Sequence, residues 1–102
     1  MLAQALSLHQ QGRLDEAQAL FLAQLDVQPE QFASLYSLAA IAHQRGDYKE
    51  ALRFVDRAVR ADCQNPQGHE ARAVILAALG RHREAAISQE NATRCNPVQA
   101  AR

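Results

Sequence analysis

The sequence has no apolar run approaching the roughly 18 residues that a membrane-spanning helix requires. Its charges also cancel, with 11 Lys and Arg against 11 Asp and Glu in 102 residues. The first absence argues against insertion in a bilayer. The second removes the basic footprint by which a protein holds nucleic acid or an anionic membrane surface. The opening residues, Met1-Leu2-Ala3-Gln4-Ala5, lack the basic region of a secretory signal, so the expected location is cytoplasmic. Proline is confined to Pro29, Pro66 and Pro97, which punctuate the junctions between helical stretches. Cysteine is limited to Cys63 and Cys95, with no Cys-x-x-Cys spacing. Both fall near the ends of neighbouring second helices. Helices pack about 8–10 Å apart, whereas a disulfide tolerates at most about 7 Å between Cα atoms, so both are expected to be thiols.

Catalytic and metal-binding patterns are equally sparse. His69-Glu70 begins like a zinc helix, but Ala73 stands where the second histidine would be. His9 and His43 occupy equivalent repeat positions and are close enough in register to stack, yet Ala77 takes the third place, and no carboxylate or thiolate joins them. A polar element of a groove is the better reading of this pair. Ser7, Ser34, Ser37 and Ser88 show no His-acid arrangement, and no strand precedes a glycine-rich phosphate loop. No enzymatic activity, cofactor or metal is expected of this segment.

What the chain does have is a period. Gly12, Gly46 and Gly80 stand 34 residues apart, and each is followed five residues later by Ala17, Ala51 or Ala85. Ala5, Ala39 and Ala73 fall in the same register, as do Leu8, Ala42 and Leu76. A fixed repeat of this length indicates stacked supersecondary units. Within a unit, Leu35, Leu38, Ala39, Ile41 and Ala42 form one apolar stripe of a helix, and Ala51, Leu52, Val55, Ala58 and Val59 form a second. Gly46 suits the left-handed residue that closes the first helix, Asp47 begins the turn, and Asn65-Pro66 reads as an N-cap followed by proline. Helices are predicted at 1–11, 15–28, 31–45, 48–62, 66–79 and 83–95. The recurring alanines suit places where backbones approach closely.

These residues resemble the tetratricopeptide repeat family. Gly12, Leu14, Ala17, Phe21 and Pro29 match its pattern in the first copy, Gly46, Tyr48, Ala51, Val55 and Ala58 in the second, and Gly80, His82, Ala85, Ala92 and Pro97 in the third. Departures are Met1, Leu35 and His69 at the family's early tryptophan, Cys63 at a proline position and Gln89 at an aromatic one. The resemblance implies an all-α, right-handed α-solenoid of three helix-turn-helix repeats, six helices in all, as one domain with repeats at 1–31, 32–65 and 66–99.

It also implies that the first helix of each pair lines a concave groove. No Asp, Glu, Lys or Arg occurs in residues 1–11 or 32–44, whereas Asp15, Glu16, Lys49, Glu50, Arg53, Asp56, Arg57 and Arg60 lie on second helices. The expected lining is Leu2, Leu6, His9 and Gln10 from the first copy, Tyr36, Ala40, His43 and Gln44 from the second, and Glu70 and Val74 from the third. One subset of the family clamps the terminal carboxylate of chaperone tails with basic residues and asparagine. Here those places hold Leu2, Leu6, Glu70 and Val74, which excludes that mode. The expected function is a protein–protein interaction module that takes a peptide or helix in an uncharged groove, with Tyr36 as anchor. Two alternatives stand beside it: a recruiting or regulatory segment of a larger bacterial enzyme such as a glycosyl- or sulfotransferase, and a self-associating, homo-oligomeric scaffold. Ser88, Gln89 and Thr93 replace apolar residues of the earlier copies, so that face is expected to be solvated and the stack to end near residue 96.

Overall fold

Glycine in the left-handed region sets the architecture. In the computed structural model, which describes Leu2–Cys95 and the side chains through Arg94, Gly12, Gly46 and Gly80 adopt φ of 78°, 79° and 79°. Their N–H groups donate to the carbonyls of His9, His43 and Ala77 at 3.1, 3.0 and 3.0 Å. The next residues, Arg13, Asp47 and Arg81, donate further back to Leu8, Ala42 and Leu76 at 2.9, 2.9 and 2.8 Å. This double closure satisfies the last carbonyls of a helix. The carbonyls of Arg13, Asp47 and Arg81 then accept from Ala17, Ala51 and Ala85, each at 3.0 Å, and so start the next helix. One residue ends one helix and begins another, which folds each pair into a tight antiparallel hairpin. A Cβ on Gly46 would meet nothing within 4 Å. The Gly46→Ala variant is therefore expected to lose only the backbone cost of the left-handed region, about 1–2 kcal/mol, measurable by chemical denaturation with an unchanged native helix content.

Six helices result among the described residues: α1 Leu2–Gln10, α2 Leu14–Val27, α3 Phe32–Gln44, α4 Tyr48–Ala61, α5 Pro66–Ala78 and α6 His82–Cys95. They agree with the sequence-based boundaries to within one residue. The start signals also hold. Asp47 accepts from the Glu50 N–H at 3.3 Å, and Asn65 accepts from the Gln67 N–H at 3.0 Å. In the other two pairs the second helix begins at an arginine in the place of Asp47. There Arg13 and Arg81 reach forward to Glu16 and Glu84 at 2.8 and 2.6 Å. The hydrogen bond from Arg81 holds the exposed Glu84 carboxyl below its ordinary value. Its small stabilisation is thus present above the usual carboxylate range and is lost as the pH falls through the lowered value.

The three pairs stack into an all-α solenoid 40 × 29 × 22 Å in extent. One cluster joins α1, α2, α3 and α4 through Ala5, Ala17, Phe21, Leu25, Leu35, Leu38, Ile41 and Ala58. A second joins α3, α4 and α5 through Ala39, Ala42, Ala51, Val55 and Ile75. Gly68 marks a close approach, since a Cβ there would come within 3.1 Å of the Phe32 ring and 3.3 Å of Val59. His69, at the family's early tryptophan position, is buried and bonds the Cys63 carbonyl at 2.8 Å.

The third pair differs from expectation at one residue. Gln89 and Thr93 are exposed, but Ser88 is fully buried. Arg72 of α5 supplies the reason: its Nη1 donates to the Ser88 hydroxyl at 2.7 Å, and its Nε donates to Asp56 of α4 at 2.7 Å. A bonded hydroxyl can be buried without the desolvation penalty that an unpaired one would suffer. Cys63 is exposed. Met1, the side chain of Cys95, Pro97 and the expected end of the stack near residue 96 lie outside the described residues.

Candidate functional site

The first helices of the three pairs, α1, α3 and α5, line one side of the solenoid, and two adjoining clefts open there. The first, about 320 Å³, is walled by Leu6 and His9 of α1, by Phe32, Tyr36 and Ala40 of α3, and by Asn65 and Gln67 at the start of α5. The second, about 260 Å³, lies between α3 and α5, with Tyr36, Ala40, His43 and Gln44 on one wall and Ala71, Val74 and Ile75 on the other. Tyr36 and Ala40 belong to both. No Asp, Glu, Lys or Arg lines either cleft.

Helical spacing explains the arrangement. Positions 32, 36, 40, 43 and 44 recur at three or four residues, so they share one face of α3. The Phe32 and Tyr36 rings stack with centroids 5.6 Å apart at 22°, which holds the tyrosine at the ridge between the clefts. Leu6 and Val74 flank that ridge at 39% and 55% exposure.

The histidines do not stack on one another. His9 instead donates from Nε2 to the Gln44 side-chain oxygen at 2.8 Å, joining α1 to α3 across the groove. His43 packs against Tyr48 of α4, with ring centroids 5.4 Å apart at 57°. Each ring has a partner of its own, Gln44 for His9 and Tyr48 for His43. Among the described residues no group of three or more His, Cys, Asp or Glu is placed to hold a metal ion.

Seven of the ten sequence-derived positions line the clefts: Leu6, His9, Tyr36, Ala40, His43, Gln44 and Val74. Leu2 does not; it is half-buried and packs against the first core cluster. Gln10 and Glu70 are exposed outside both clefts. The structure adds Phe32, Asn65, Gln67 and Ile75 to the lining. Phe32 lies one helical turn before Tyr36, a signal present in the sequence. Asn65 is the N-cap of α5 and Gln67 lies in its first turn, and no periodicity announces them.

No helix among the described residues is long and apolar enough to cross a membrane. Comparison with known proteins agrees with the repeat geometry. The chain is 40% identical over 60 residues to a TPR repeat-containing thioredoxin, TTL4, of Arabidopsis thaliana; the match covers 59% of this chain and 9% of that protein. Among solved structures, the type III secretion translocator chaperone SycD of Yersinia enterocolitica superposes with a TM-score of 0.88 at 19% identity, covering 98% of this chain and 78% of that one. PcrH, solved in complex with the chaperone-binding region of PopD, gives 0.87 at 22% identity over 97% of this chain and 77% of its own. The family model described as tetratricopeptide repeat matches residues 2–66, and a second of the same description matches 66–86. With its glycine-closed hairpins, its stacked pairs and these matches, the chain belongs to the tetratricopeptide repeat family.

Proposed function

We propose that this chain is a protein–protein interaction module whose concave groove takes an uncharged, largely apolar peptide segment of a partner protein. The observation that carries this reading is the pair of adjoining clefts without a charged lining residue, divided by Tyr36 and flanked by the exposed Leu6 and Val74. Burial of apolar surface drives the association, against the entropic cost of ordering the bound segment. Tyr36 contributes area at low entropic cost, and its hydroxyl gives a polar contact at the ridge. Asn65 and Gln67 at the rim carry amide groups suited to a peptide backbone, since an amide donates and accepts at once. The PcrH complex supports the reading at the level of fold, because a chain of this architecture holds a segment of another protein.

The test is capture from a native lysate read by mass spectrometry, followed by titration of the captured segment as a labelled peptide. Wild type is compared with Tyr36→Ala, with Leu6→Asp, and with Arg53→Ala on a second helix. The groove variants are expected to bind at least about tenfold more weakly, as truncation of a central aromatic anchor does. Arg53→Ala should bind as wild type does. Affinity should also change little with added salt, because no charged pair crosses the interface. Equal binding by Tyr36→Ala and wild type, or a steep salt dependence, places the interaction elsewhere.

A further inference from the structure

The 34-residue register exposes a substitution that is coordinated across three helices. Between the first and second pairs, Leu22 of α2, Leu38 of α3 and Phe54 of α4 line one cleft at the junction. Thirty-four residues on, the same three positions between the second and third pairs are Asp56, Arg72 and Ser88. There Arg72 bonds Asp56 and Ser88, each at 2.7 Å, and Ser88 is fully buried. An apolar triad has been exchanged for a hydrogen-bonded polar one, with all three members changed together.

We propose that the Asp56–Arg72–Ser88 triad is a junction key that makes each helix pair stack only on its proper neighbour. The pairs share the same glycine turns and recurring alanines, Ala5, Ala39 and Ala73 on the first helices and Ala17, Ala51 and Ala85 on the second. Two copies could then slip by one repeat. The second pair of one chain would stack on the second pair of the other, and the displaced third pair would stack on the displaced first. The triad forbids both contacts. In the first slipped junction, Asp56 faces Leu38 and Phe54 and has no cation. In the second, Arg72 faces Leu22 and has no carboxylate. A partly buried charge left without its partner disfavours each slipped junction by roughly tenfold to a hundredfold. In the correct stack every member is satisfied. Setting the register of like elements is a well-supported role for a polar group placed within an apolar interface.

The test is a full-chain variant in which the second junction copies the first: Asp56→Leu, Arg72→Leu and Ser88→Phe together. The expected result is a folded helical chain, no less resistant to urea than wild type, that elutes as a concentration-dependent mixture of monomer and larger species. Light scattering should show its dimer fraction at least about tenfold above that of wild type at equal concentration. If the aromatic at 88 prevents folding, the Asp56→Leu, Arg72→Leu pair serves in its place, because the Ser88 hydroxyl can bond a carbonyl of its own helix. A folded variant with the mass distribution of wild type overturns the key, as does a wild type that already forms the slipped species.

Discussion

Replacing Phe21 with alanine is expected to lower the unfolding free energy by about 3–5 kcal/mol, a large share of the roughly 5–15 kcal/mol that holds a domain of this size. Phe21 is fully buried in the first core cluster, among Ala17, Leu25, Leu35 and Leu38. Loss of the ring removes its transfer free energy and leaves a cavity between helices that cannot close over it. The repeat supplies internal controls at the same position, since Val55 is fully buried and Gln89 is exposed. Val55→Ala should cost less, about 1–2 kcal/mol, because fewer carbons leave the core. Gln89→Ala should stay within about 0.5 kcal/mol of wild type. Urea denaturation followed by circular dichroism measures all three, with the midpoint falling and the slope unchanged for a pure stability effect. Equal losses at positions 21 and 89 would contradict the asymmetry of the stack.

Enlarging Ala51 is expected to be nearly as damaging by the opposite route. Ala51 is fully buried in the first turn of α4, where the glycine hairpin forces α3 and α4 together. Leucine there adds volume where neither backbone can yield without breaking the Ala51 N–H bond to the Asp47 carbonyl. Overpacking typically costs about 1–3 kcal/mol, and the upper end is expected at this position. Ala85, its counterpart in α6, is only half-buried. Ala85→Leu should therefore be tolerated, with a shift of less than about 1 kcal/mol. Thermal unfolding of the two variants side by side gives the contrast directly; similar melting temperatures would mean that the hairpin is not tightly held at Ala51.

The helices and their turns were legible in the sequence because the forces behind them are local. Gly46 takes a left-handed φ for want of a Cβ, Asp47 and Asn65 cap the helices that follow them, and the stripe from Leu35 to Ala42 repeats at the helical period. Most of the concave face followed for the same reason, as Tyr36, Ala40, His43 and Gln44 share a helix face by spacing alone. The errors came where a residue's partner lies on another element. Ser88 reads as solvated until Arg72 reaches it from α5. His9 reads as the partner of His43 until Gln44 is found opposite it. Leu2 reads as groove lining, but α1 turns it toward the core.

The sequence by itself determined that this chain is three helix hairpins in a 34-residue period, where the turns fall, and which helices carry charge. The turns and the charge pattern depend on residues within one or two turns of one another, and the period on their recurrence along the chain. Only the tertiary structure decided where the clefts open, that Asn65 and Gln67 join Leu6 and Tyr36 at one of them, and that Asp56, Arg72 and Ser88 form one bonded group. Those outcomes rest on contacts between side chains 16 or more residues apart, as the 35-residue span from His9 to Gln44 also does. Hydrophobic periodicity carries no information about such pairs, because polar partners are selected by the distance and direction that the packed helices impose.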